Sequence, residues 1–251
     1  MRYALISDVH ANLPALDAVL DDIDTIGVDA VCHLGDLVGY APWPNEVVAR
    51  IAERAIPGVA GNYDSTVAAN YKHCGCRYED PRQESLSHLS YEWTRHHVSA
   101  ATKRALAALP FRIDIRLAGG HVAGPTATLV HGNHVLNTVY VTEDRSDEFL
   151  MRISEGIGAT SQVIAFGHTH MPWHRVVDGV HFVNTGSVGR PKDGDWRAGY
   201  VVLSVEANDI DIEFRRLEYD VERAASGILE STLPGEFAWY LRTGGKSLAA
   251  V

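Results

Sequence analysis

The chain opens on a short apolar run, Ala4-Leu5-Ile6, that leads into Ser7-Asp8-Val9-His10. Read as a buried strand over residues 2–7, it places Asp8 and His10 just past its carboxyl end, where open α/β sheets bind ligands. Side chains two apart on extended backbone point the same way, so this carboxylate and imidazole can converge. From Leu13 to Ile26, apolar residues recur at spacings of three and four (Leu13, Leu16, Val19, Leu20, Ile23, Ile26). That predicts a helix with one buried face. Asn12 is its expected N-cap, Pro14 suits the first turn and Gly27 stops it. A second apolar run, Ala30 to Leu34, ends in Gly35-Asp36. The resulting β-α-β unit implies parallel strands and a right-handed crossover. A helix is expected from about Asn45 to Arg54. A third run, Ile56 to Ala60, reads as another parallel strand and ends in Gly61-Asn62-Tyr63-Asp64.

Residues 65–98 break this rhythm. They are polar and hold His73, His88, His96, His97 and the pair Cys74-Gly75-Cys76. A partly helical excursion over the site is expected, acting as a lid or substrate-selecting cap. Helix resumes over Ser99–Leu109. From Phe111 the period drops to two, with Phe111, Ile113, Ile115 and Leu117 alternating with charged residues, as in a half-exposed strand. Ala127 to Val130 ends in His131-Gly132. A helix over Ser146–Ile157 precedes the strand Gln162 to Phe166, which ends in Gly167-His168-Thr169-His170. Short strands near 173–177, 180–184, 199–205 and 209–216 predict a second, more antiparallel sheet packed on the first. A Gly-rich loop, Asn184 to Pro191, lies among them. The tail carries a helix near 220–230 and then a Gly-rich, mostly polar stretch without recognisable chemistry. The whole chain, 1–251, is expected to be one α/β domain.

Composition narrows the function. Hydrophobic residues make up 46% and charged residues 22%, as in ordinary globular proteins. No apolar run is long enough to span a membrane and no signal peptide is visible, so a cytoplasmic location is expected. The net charge of −10 argues against general nucleic-acid binding and against a nuclease. Three cysteines (Cys32, Cys74, Cys76) form no disulfide framework. His73, Cys74 and Cys76 are too closely spaced for a structural zinc site, and a solvated turn with free thiols is the better reading. His33 is expected to be a satisfied core residue. Asp64 is expected to orient a ligand or loop.

The runs end in Asp8, His10, Asp36, Asn62, His131, His168 and His170: two carboxylates, four imidazoles and one amide. Seven ligands are too many for one tetrahedral ion and suit two ions, with Asp36 bridging. Mixed N/O ligation without thiolate favours Mn, with Fe, Zn, Co or Ni as alternatives, over Ca or Mg. No Cys or Ser presents itself as a covalent nucleophile.

These motifs, D-x-H (Asp8, His10), G-D (Gly35, Asp36), G-N-x-D (Gly61 to Asp64), H-G (His131, Gly132) and G-H-T-H (Gly167 to His170), resemble those of the calcineurin-like metallophosphoesterases in order and spacing. The following N-x-G-S-V-G (Asn184 to Gly189) resembles the small bacterial and archaeal branch. The resemblance implies a two-layer β-sandwich flanked by helices. It implies one metal on Asp8, His10 and His170, the other on Asn62, His131 and His168, with Asp36 bridging. It further implies a catalytic part for Asp36, Asn62, His131 and the residue after Asn62. Many members of the family have His there as a hydrogen-bond donor to the leaving group, and this chain has Tyr63. A phenol is a poorer acid near neutrality, so good leaving groups are the expected substrates. The Arg that follows the Gly-Asp in protein phosphatases of the superfamily is missing, since Leu37 to Tyr40 stand there. The expected substrate is a small phosphodiester or phosphomonoester, a nucleotide included. Tyr63, His134 and Arg190 are candidate substrate contacts, although Arg190 also reads as a surface residue and His174 lies near the motifs. A catalytically silent scaffold of the same fold is the alternative. The complete ligand set favours the enzyme. Self-association is left open.

Overall fold

Two sheets stacked face to face, with helices on both outer surfaces, make up the computed structural model, which describes residues 1–77, 80–117, 125–158, 160–206 and 209–246. In chain order the elements begin with β1 (Arg2–Ile6), α1 (Leu13–Ile26), β2 (Ala30–His33), α2 (Pro44–Glu53) and α3 (Asn62–Ala68). Then come α4 (Pro81–His97), α5 (Ala100–Ala107), β3 (Arg112–Arg116), β4 (Thr126–Val130), α6 (Asp147–Ile157) and β5 (Val163–Phe166). The chain closes with β6 (Trp173–Val177), β7 (Val180–Asn184), β8 (Ala198–Glu206), β9 (Asp209–Leu217), α7 (Val221–Glu230) and α8 (Glu236–Thr243).

The first sheet runs β2-β1-β8-β9 and the second β3-β4-β5-β7-β6. β1 pairs parallel with β2, and β8 lies antiparallel on its other side. In the second sheet β4, β5 and β7 are parallel, while β3 and β6 run antiparallel at the edges. The late strands therefore do not form the separate antiparallel sheet that their order suggests. β6 and β7 extend the second sheet, and β8 and β9 complete the first.

Alternation in β1 explains the layering. Tyr3 and Leu5 face the second sheet, meeting Leu129, Ala165 and Val183 across the interface. Ala4 and Ile6 face the helices, with Leu16, Val19, Ile228 and Phe237. Both faces are covered, which is why the strand reads as a continuous apolar run. On the outer side of the second sheet, Ile164 and Phe182 pack beneath Leu150 and Ile153 of α6.

The helix after β1 spans the residues its periodicity predicts. The Asn12 side chain accepts from the Ala15 amide, and Gly27 ends the helix at φ +63°. The run Ile56 to Ala60 is not a third strand. Pro57 has no amide to give a ladder, and contact with β2 shrinks to a single parallel bridge, His33 with Gly58. Asn62 consequently begins α3 instead of ending a strand. The Gly-rich tail, too, differs from expectation: α8 forms there and buries Phe237, Ala238, Tyr240 and Leu241. No helix among the described residues is long and apolar enough to cross a membrane.

Candidate metal centre

The parallel strands β1, β2, β4 and β5 all finish at one edge of the sandwich. Their turns bring Asp8, His10, Asp36, His131, His168 and His170 together, and Asn62 joins them from the first turn of α3. All seven are buried. Asp8, His10, Asp36, His168 and His170 each have φ between 48° and 66°. Left-handed backbone at five non-glycine residues costs free energy and gathers at functional sites.

Main-chain bonds hold the turns against one another. The Asp8 amide donates to Gly35 O (3.0 Å) and the His10 amide to Asp36 O (2.9 Å). Asp8 Oδ2 accepts from the His168 amide (3.0 Å), and Asp36 Oδ1 from the Tyr63 amide (2.9 Å). Asp64 braces two loops at once, accepting from the Leu37 amide (2.9 Å) and the Gly61 amide (3.0 Å). Burial, and then the neighbouring Asp36, raises its carboxyl to about 7. Gly61 is required by close approach, because a Cβ there would collide with Asp36 Oδ1.

The histidines are aimed. His10 Nδ1 donates to Val38 O (3.1 Å), His131 Nδ1 to Leu34 O (2.7 Å) and His170 Nδ1 to Arg190 O (2.5 Å). A carbonyl only accepts, so each ring carries a proton on Nδ1 and turns Nε2 toward the centre. There, His10 Nε2 and His170 Nε2 lie 3.1 Å apart. Asp8 Oδ1 is 3.3 Å from His170 Nε2 and 3.7 Å from His10 Nε2. Asp36 Oδ2 stands between the two halves, 3.7 Å from His10 Nε2 and 3.5 Å from His131 Nε2. Asn62 Oδ1 is 3.2 Å from His131 Nε2. Asp8 Oδ1 and His168 Nε2 have no hydrogen-bond partner among the described residues.

Two triads emerge, Asp8/His10/His170 and Asp36/His131/His168, each with its ligand atoms within 4.8 Å of one another. Buried, converging lone pairs repel unless a cation lies between them, so the donor set fits divalent ions. The electrostatics agree at three of the four imidazoles. Burial holds His10, His168 and His170 below the usual imidazole range, aided by His170, His131 and Lys192 respectively. Burial also acts to lower His131, but Asp36 outweighs it and raises that imidazole to about 9. At Asp8 burial raises the carboxyl, whereas His170, followed by His131 and His10, holds it well below the carboxylate range.

The other sequence candidates fall in different places. The Tyr63 ring lies edge-on to His10 at 5.6 Å, but its hydroxyl bonds Ser87 Oγ at 3.1 Å. That geometry makes Tyr63 a wall of the pocket and gives no support to a proton donor. Arg190 is not a surface residue. It is 8% exposed, with its guanidinium 4.0 Å from the centre of the Tyr40 ring, a group that itself lines the pocket. His134 is absent from the pocket lining, and its imidazole packs on Gly156 of α6. His174 pairs with His181 on β6 and β7, with Nε2 and Nδ1 3.1 Å apart. Cys74 is buried, which corrects the reading of a solvated turn. No metal cluster forms at Cys74 and Cys76 among the described residues.

Sequence reasoning passed over Lys192, Tyr40 and Cys76, all of which line the pocket. Lys192 was signalled only by its place directly after the Gly-rich loop. Tyr140, in a segment with no motif, lies 4.3 Å from the His168 ring. Asn62 Nδ2 donates to Cys76 Sγ (3.0 Å) and Cys74 O (3.2 Å), which turns the amide oxygen toward His131.

The model of the calcineurin-like phosphoesterase superfamily domain matches residues 1–208. An uncharacterized protein of Methanocaldococcus jannaschii is 30% identical over 254 residues, covering 92% of this chain and 93% of that protein. Among solved structures, a metallophosphoesterase from Sphaerobacter thermophilus superposes with a TM-score of 0.76 at 28% identity, over 97% of this chain and 99% of the other. A hypothetical protein from Pyrococcus horikoshii shares the fold, with a TM-score of 0.82 at 21% identity over 98% and 99%. With the domain match spanning most of its length, the chain belongs to the calcineurin-like phosphoesterase superfamily.

Proposed function

We propose that the chain is a dinuclear, metal-dependent phosphoesterase that hydrolyses phosphodiester or phosphomonoester bonds of a small substrate. The observation that carries this reading is the pair of buried triads, with two Nε2 lone pairs facing each other 3.1 Å apart and Asp36 between the halves. Asp8, His10 and His170 would hold one ion, and Asn62, His131 and His168 the other, with Asp36 shared. Manganese is the favoured occupant, with Fe, Zn, Co or Ni as alternatives. When bound, two such ions lower the pKa of a coordinated water and neutralise charge on the phosphoryl oxygens.

The chain's own part is to orient and to exclude water. The carbonyls of Val38, Leu34 and Arg190 fix the imidazole tautomers. Cys76 and the Cys74 carbonyl hold the Asn62 amide, and Asp64 ties the loop of Asp36 to that of Asn62. The Lys192 ammonium, at the exposed rim, adds positive charge where a phosphate would enter. Residues 65–98 serve as a cap over the site. The Tyr63 hydroxyl is engaged with Ser87, which leaves the departing oxygen without strong acid assistance and favours good leaving groups.

Elemental analysis combined with hydrolysis of bis(p-nitrophenyl) phosphate and p-nitrophenyl phosphate after Mn addition tests the reading. The expected result is about two ions per chain and a hydrolysis that disappears in Asp36→Asn. A protein that takes up no metal and hydrolyses neither compound would instead be a scaffold of this fold.

A further inference from the structure

The space among the candidate ligands is small, about 220 Å³ including its open mouth. An ester group attached to the phosphate must therefore lie outside it. Beside it lies a cavity of about 390 Å³, between the turn around Cys74 and the first half of α4. Cys76 lines both spaces, so the two meet at that side chain. The floor is closed by Tyr91, fully buried, whose hydroxyl donates to Tyr71 O (2.9 Å). Such a volume falls within the ~300–1,000 Å³ usual for small-molecule sites.

The lining has a definite chemistry. His73, His88 and Ser85 offer hydrogen-bond donors and acceptors, Glu84 contributes a carboxylate, and no Lys or Arg lines the cavity among the described residues. A second phosphate placed there would meet the like charge of Glu84 with no Lys or Arg in the lining to offset it. A hydroxylated group would find partners for its O–H groups. The cationic Lys192 lines the metal pocket instead. The two adjoining spaces are thus divided by charge, with phosphate on one side and neutral polar groups on the other.

On the phosphoesterase reading above, we propose that the cavity beside Cys76 is the specificity pocket, and that it receives the second ester group of a phosphodiester. That group is a glycerol- to sugar-sized alcohol bearing hydroxyls and no further phosphate.

A series of p-nitrophenyl phosphodiesters tests this with one leaving group throughout. The second ester is methyl, glyceryl or 2-phosphonoethyl. The wild-type, Mn-loaded protein is expected to show kcat/KM for the glyceryl ester about tenfold above the methyl ester, and for the phosphonoethyl ester below it. Ser85→Trp, on the exposed face of α4, fills the cavity and should remove the glyceryl advantage, bringing kcat/KM for the glyceryl ester down to that of the methyl ester in the same variant. Glu84→Lys should raise kcat/KM for the phosphonoethyl ester, and it serves as the independent variant if Ser85→Trp does not fold. Equal kcat/KM for the methyl and glyceryl esters, in a protein that turns both over, overturns the pocket assignment and leaves the phosphoesterase standing. A preference for the phosphonoethyl ester overturns the chemistry assigned to the pocket. Hydrolysis of p-nitrophenyl phosphate but of none of the three diesters overturns the pocket assignment, and hydrolysis of neither the diesters nor p-nitrophenyl phosphate, with metal bound, overturns the phosphoesterase reading itself.

Discussion

Neither ring nitrogen of His33 has a hydrogen-bond partner among the described residues, although the side chain is fully buried. The residue is a core histidine, as its place in a strand suggests, but it is not a satisfied one. Burial lowers its imidazole to about 4, against about 6.5 in an unfolded chain. Above pH 6.5 both states are neutral and His33 has no effect on stability. As pH falls from 6.5 toward 4, the unfolded chain takes up a proton and the native state does not, so stability is lost by up to about 3 kcal/mol. Urea unfolding at pH 7 and pH 4.5 should show that loss, and His33→Phe should flatten it. An unchanged acid slope in the variant would refute the assignment. At Tyr63 the prediction is a negative one for catalysis. Tyr63→Phe removes the bond to Ser87 and should cost about 1 kcal/mol of stability. Turnover should stay within about twofold, since the hydroxyl is engaged with Ser87. A large fall in kcat with normal metal content would restore a catalytic role to the phenol.

Among the elements, α8 shows best what a local pattern conceals. It has only eight residues, and Pro234-Gly235 and Gly244-Gly245 bracket it, so the segment reads as loop. Its weight is tertiary. Phe237 packs edge-on to Tyr40 at 5.2 Å, and the Arg190 guanidinium lies 5.9 Å from Phe237 and 5.6 Å from Tyr240. Gln83 and Arg82 of α4 bond Tyr240 and Glu236. The helix therefore ties α4 to Tyr40 and Arg190 at the candidate metal centre. Phe237→Ala should cost roughly 3–5 kcal/mol, read as a lower denaturant midpoint, and should also loosen Tyr40 beside His10. A variant of unchanged midpoint would show that α8 does not bear on the core. The failed strand at Ile56 to Ala60 belongs to this scale as well. Its apolar composition was legible, but the missing amide of Pro57 and the His33 ring packed against Gly58 limit it to one bridge.

For the molecule as a whole, a buried cluster of two carboxylates and four imidazoles is stable only with its charges and lone pairs compensated. Ions that bind the native state and not the unfolded chain add RT ln(1 + [L]/Kd) to its stability. Exhaustive chelation should therefore lower the thermal midpoint, and Mn should restore it with a midpoint that climbs with Mn concentration. In Asp36→Asn most of that dependence should vanish. A midpoint indifferent to chelator and Mn alike would mean that the centre does not take up ions.

The amino-acid sequence by itself determined the strand ends and what stands on them. Hydrophobic period and turn residues place Asp8, His10, Asp36, His131, His168 and His170 within a few residues of a strand's carboxyl end. Each decision is local, so it can be read from neighbours in the chain. Tertiary structure alone decided the rest. It chose which strands share a sheet, and it bent the Tyr63 hydroxyl toward Ser87. It also buried Arg190 beneath aromatic rings, and carried Lys192 and Cys76 to the rim of the metal pocket. Those outcomes depend on contacts between segments up to two hundred residues apart, such as β1 against β8. Their energy comes from burial and pairing of groups that no local pattern brings together.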